Sequence, residues 1–113
     1  MIKITFYTQN NNYVGFLSNG HADYDKYGKD IVCSAVSTVT QSLALGILKV
    51  LNLKANYVVN EKQGKLELRL PKDINELDFV KSQVLFETAY LSIVDLSRGY
   101  PSNIKVEVKD LCL

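Results

Sequence analysis

The chain carries one histidine and two cysteines, the side chains that most readily supply a nucleophile and a proton carrier near neutral pH. His21 sits in Gly20-His21-Ala22, and Cys33 follows in the string Asp30-Ile31-Val32-Cys33-Ser34-Ala35-Val36-Ser37. From Cys33 onward the apolar spacing turns helical, which places the sulfur at a helix start. If Asp30 is the N-cap, Cys33 occupies N3; if the helix begins later, Cys33 is itself the N-cap or N1. Either placement sets the sulfur near unpaired backbone N–H groups and the positive end of the helix dipole. That environment lowers a thiol pKa and populates the reactive thiolate. A histidine with a pKa near 6.5 completes the activation and then protonates a leaving amine. The chemistry that fits is thiol-dependent acyl transfer.

Each of these residues also has a plainer account. A cysteine before an apolar helix is commonly a small buried hydrophobe, and a single loop histidine is commonly a surface residue. Asp30 can serve only as a cap, accepting from the Cys33 amide. Ser37 lies one turn after Cys33 on the same face, where its hydroxyl meets the sulfur or bonds its own helix. Within the loop, Gly20, Ala22, Tyr24, Tyr27 and Gly28 either line a substrate groove or pack the loop down. A redox pair of Cys33 with Cys112 needs Cα atoms within about 7 Å. One histidine and two distant cysteines give no metal-ligand spacing, and no phosphate loop, C-x-x-C pair or G-x-S-x-G elbow is present. No metal or cofactor is called for.

Around this segment the periodicity gives the elements that must position it. Residues 2–8 alternate as a strand, Asn10-Asn11-Asn12 favours a turn, and 13–18 reads as the returning strand. Val36, Val39, Leu43, Ile47 and Val50 share a stripe over a helix from Cys33 to about Asn52. Tyr57–Val59 and Leu66–Leu70 flank Gln63-Gly64 as a second hairpin. A second helix begins after Asp73 or Asn75, both acceptable caps, and stops at Gly99 before Pro101. Ile104–Val108 is a last strand. The order is ββαββαβ, an α+β single domain with an antiparallel-rich sheet and two long helices. The second helix has two apolar stripes, Leu77, Val80, Val84 and Leu91 on one and Phe79, Phe86, Tyr90 and Ile93 on the other. That pattern suits either a helix buried between two elements of its own domain or a homodimer face.

Composition narrows the class further. At 113 residues the chain is one ordinary domain, and 47% apolar residues with few Pro and Gly argue for a packed core. The net charge of +1 gives no electrostatic case for direct nucleic-acid binding. The start of the chain does not read as a signal peptide. The apolar stretch from Leu43 to Leu53 is broken by Gly46, Lys49 and Asn52, which predicts no membrane span. Two widely spaced cysteines are expected to be free thiols in a reducing compartment, so the chain reads as cytoplasmic.

Taken together, Gly20-His21-Ala22, a loop, then Asp30-Ile31-Val32-Cys33 and Ser37 resembles the signature of the ribosomal-processing cysteine protease Prp family. The element order and length are similar as well, so the resemblance spans residues 1–113. It implies Cys33 as nucleophile, His21 as proton donor and acceptor, and Asp30 and Ser37 in support. It also implies a homodimer whose substrate is the N-terminal extension of large-subunit ribosomal protein L-twenty-seven, cut after paired aromatic residues during ribosome assembly. The rival is a non-catalytic, dimeric ribosome-associated module, with Cys33 fully buried and far from His21.

Overall fold

The computed structural model describes residues 1–26 and 30–111, and its elements follow the expected order. They are β1 (Ile2–Gln9), β2 (Asn12–Gly20), α1 (Ile31–Leu45) continued by a π-helical turn (Gly46–Val50), β3 (Asn56–Asn60), β4 (Lys65–Arg69), α2 (Glu76–Gly99) and β5 (Ile104–Asp110). One five-stranded sheet runs β3-β4-β2-β1-β5. The β1–β2, β2–β4 and β3–β4 pairs are antiparallel and β1–β5 is parallel, so the sheet is mixed. Asn10 and Asn11 make the first turn with φ of 52° and 64°, a conformation that asparagine tolerates better than most residues.

The alternation in β1 places Ile2, Ile4 and Phe6 on the core face, and Phe6 pairs with Phe16 of β2, itself opposite Leu68 of β4. Onto this face pack Val32, Val36, Leu43 and Ile47 from the first helical run and Phe86, Ala89 and Ile93 from α2. Phe6, Phe16 and Phe86 are fully buried, each contributing about 1.5–3 kcal/mol by removal from water. The Tyr90 ring meets Phe6 edge-on at 5.3 Å, and Tyr13 stacks on Phe86 at 5.6 Å. On the opposite face, Thr5 and Tyr7 are also buried, Thr5 donating to Glu107 and Tyr7 lying under the Arg69 guanidinium at 4.1 Å.

Two expectations change. The run Ile31–Val50 is 20 residues long with a mean hydropathy of 1.7, enough by length and composition to cross a membrane. In this fold, however, its Val32, Val36 and Ile47 belong to the core of the domain. The second change concerns α2, which is not buried between two layers. Phe86 and Ile93 face the core, while Leu77, Val80, Val84 and Leu91 stay 55–64% exposed. Asn75, rather than Asp73, caps α2 by accepting from the Asp78 amide at 2.8 Å.

Candidate active site

Asp30 organises the junction between the loop and α1. It is the N-cap, which puts Cys33 at N3. Its Oδ1 accepts from the Val32 and Cys33 amides, both at 3.0 Å, and its Oδ2 accepts from the Tyr24 and Asp25 amides at 2.9 and 3.2 Å. One carboxylate therefore caps the helix and ties the preceding loop to it. Only 5% of Asp30 is exposed. Burial alone would raise its pKa, but the four amide donors outweigh it and hold the carboxyl below the usual carboxylate range.

β2 delivers the histidine. It ends at Gly20, whose φ of +94° turns the chain out of the sheet; a methyl carbon there would lie 2.7 Å from the Met1 carbonyl oxygen. His21 follows, half-buried. Ala22 is 1% exposed, its N–H donates to Cys33 Sγ at 3.2 Å, and its carbonyl accepts from Asn103 Nδ2 at 2.9 Å. The residue bonded to His21 thus rests against the thiol. The Met1 amine pairs with Asp23 at 2.6 Å, and Tyr24 meets Tyr100 edge-on at 5.5 Å. From the sequence this loop either lines a substrate groove or is packed down. In the structure Ala22 to Asp25 is fastened to Met1, to the residues before β5 and to the start of α1.

The thiol also departs from expectation. Burial pushes the partly exposed Cys33 up from the ordinary thiol pKa. The Ala22 N–H pulls the other way, but the Asp30 and Asp23 carboxylates add to the rise. A helix start was expected to lower this value. Here the Val32 and Cys33 amides are already engaged by a negative charge, which offsets the dipole the sulfur would otherwise sense. The same engagement removes these two amides as oxyanion donors, and the Ser34 amide bonds the Asp30 carbonyl at 3.1 Å. The Ala22 N–H is the donor that meets the sulfur.

Ser37 sits one turn along α1, partly buried, and among the described residues no hydrogen bond links its hydroxyl to Cys33. Tyr27, Gly28 and Cys112 lie outside the described residues. Among the described residues no three His, Cys, Asp or Glu side chains gather as metal ligands. Sequence reasoning missed Asn103, an ordinary polar residue before a strand, and it read Gly64 only as a turn. Gly64 in fact sits against His21: a methyl carbon on it would lie 3.0 Å from His21 Cε1.

A partly exposed thiol against the backbone of a histidine-bearing loop can support nucleophilic chemistry. Comparison with known proteins agrees with that reading, since the family model described as cysteine protease Prp matches residues 1–105. The chain belongs to the cysteine protease Prp family. As a Prp-family member it is a cysteine protease. It is 24% identical over 93 residues to the ribosomal processing cysteine protease Prp of Bacillus subtilis, covering 82% of this chain and 83% of that protein. The Staphylococcus aureus Prp is 25% identical over 93 residues, covering 82% and 84%. Among solved structures, the S. aureus Prp with a covalently linked product peptide superposes with a TM-score of 0.85 at 23% identity, covering 96% of this chain and 100% of that one. A Streptococcus mutans protein superposes at 0.84 with 28% identity, covering 98% and 96%. The non-catalytic alternative does not fit a Prp-family chain whose Cys33 is partly exposed and hydrogen-bonded to the residue after His21.

Proposed function

We propose that residues 1–113 act as one catalytic domain, a cysteine endopeptidase that removes the N-terminal extension of large-subunit ribosomal protein L-twenty-seven after paired aromatic residues. The observation that carries this is the Ala22 N–H to Cys33 Sγ hydrogen bond, because it sets the His21 loop on the nucleophile in a Prp-family chain. Support for the substrate class comes from the relatives, which are named ribosomal processing proteases, and from the S. aureus enzyme solved with a substrate peptide.

The raised thiol pKa favours a protonated resting sulfur, so His21 removes its proton as attack begins rather than from a standing ion pair. The sulfur bonds the scissile carbonyl carbon and the carbonyl electron pair moves onto oxygen. The Ala22 N–H, already directed at the sulfur, stabilises that oxyanion beside it. Collapse breaks the C–N bond, and His21 gives its proton to the departing amine. Water, deprotonated by His21, then cleaves the thioester and regenerates the thiol. Asp30 supports the site by holding loop and helix together, and Ser37 lines the turn below the sulfur. The loop from Gly20 through Tyr24 flanks the peptide, with Ala22 behind it as the buried tie to Cys33.

The protein works as a homodimer through the exposed α2 stripe of Leu77, Val80, Val84 and Leu91, whose burial between two copies would remove a contiguous apolar surface from water. Its partners are the ribosomal protein and its own copy, without direct contact to nucleic acid or membrane, in the cytoplasm where ribosomes assemble.

The test is cleavage of a peptide from the N-terminus of the same organism's L-twenty-seven. Wild type should cut it, while Cys33→Ala and His21→Ala should lose the activity. Equal cleavage by Cys33→Ala would end the proposal.

A further inference from the structure

The β3–β4 turn is more than a connection between strands. The β2–β4 ladder pairs Ser18 with Leu66, and the same register continues to set Gly20 opposite Gly64. There the Gly20 N–H donates to the Gly64 carbonyl at 3.1 Å. Both glycines have positive φ, +94° and +61°. A methyl carbon on Gly64 would stand 2.6 Å from Gly20 O, 3.1 Å from Gly20 C and 3.0 Å from His21 Cε1. Two of these three neighbours are backbone atoms, which cannot step aside without moving the segment that carries the imidazole. The Gly64 N–H is itself bonded to Glu61 O at 3.1 Å, which fixes the turn from the other side. Gly20 is itself closely approached, since a methyl carbon there would lie 2.7 Å from the Met1 carbonyl oxygen.

We propose that Gly64 is a positioning residue for His21: the β3–β4 turn is the back wall that sets where the imidazole stands relative to Cys33. This rests on His21 being the acid/base, as proposed above. Only a residue without a side chain lets the turn approach this closely. Any Cβ pushes the Gly20–His21 backbone outward by several tenths of an ångström, and small displacements of a catalytic base carry large rate penalties.

Because His21 is the only histidine, its Hε1 proton is a single assignable NMR signal. The wild type should show a nuclear Overhauser contact between His21 Hε1 and the Gly64 α-protons. Gly64→Ala, and Gly64→Asn, which tolerates positive φ and so separates crowding from backbone strain, should move the His21 Hε1 resonance. Both variants should lower kcat about 10-fold or more with KM within about twofold. Lys62→Ala, in the same turn with an exposed side chain, should change none of these. A folded Gly64→Asn with wild-type kcat and an unmoved His21 Hε1 resonance overturns the proposal, as does the absence of the Overhauser contact. Loss of the catalytic reading is separately visible, because His21→Ala would then cleave like wild type whatever Gly64 does.

Discussion

Replacing Asp30 separates its two duties. In Asp30→Asn the side-chain oxygen can still accept from Val32 and Cys33, so the helix cap survives, but the amide NH2 then faces the Tyr24 and Asp25 N–H groups, donor against donor. Asp30→Ala loses both sets. Loss of a cap costs about 1 kcal/mol. Each charge-assisted bond from the loop is worth about 1.5 kcal/mol at the low end, because the freed amides of exposed Tyr24 and Asp25 can turn to water. Asp30→Asn should therefore lose about 3 kcal/mol and Asp30→Ala about 4 kcal/mol. At roughly 4 °C per kcal/mol for a domain this size, Tm falls by about 12 °C and about 16 °C. Urea unfolding with an unchanged m-value reads the difference directly. Acid titration adds a signature of sign. Asp30's folded pKa lies below its unfolded value of about 3.9, so its contribution is present above that pH and is lost as pH falls through the lower folded value. That part of the acid sensitivity should vanish in Asp30→Asn. An Asp30→Asn protein as stable as wild type, with the same acid limb, would refute the two-sided clamp.

Two further outcomes follow from the same geometry. Iodoacetamide should alkylate Cys33 of the free enzyme at a rate that is still climbing at the pH where an ordinary thiol levels off, because burial and two nearby carboxylates disfavour the thiolate; a plateau already reached near neutral pH would contradict this. Val84→Glu places a charge in the middle of the exposed α2 stripe, so light scattering should report a monomer with an unchanged circular dichroism spectrum. A Val84→Glu protein that still runs as a dimer moves the interface elsewhere.

What the sequence determined by itself is local and periodic. The alternation of β1 and the Asp30–Cys33 spacing follow from neighbours a few residues apart, and the structure keeps both; the helical stripe holds through Val36, Leu43 and Ile47 and fails at Val50, which the π-helical turn Gly46–Val50 leaves exposed. Even the two stripes of α2 were legible, though not which one would stay uncovered, because that depends on what packs over the helix. Tertiary structure decided the chemistry's surroundings. Ala22 meets Cys33, Asn103 holds Ala22, and Gly64 backs His21 only because β2, β4 and the β5 lead-in converge at one end of the sheet. The thiol's pKa is the clearest case. From the sequence, a helix start promised a lowered value; in the fold, the same aspartate that begins the helix occupies its amides and opposes the thiolate, and burial does the rest. A side chain's spacing is written in the chain, whereas the field it sits in is a sum over groups brought near by folding.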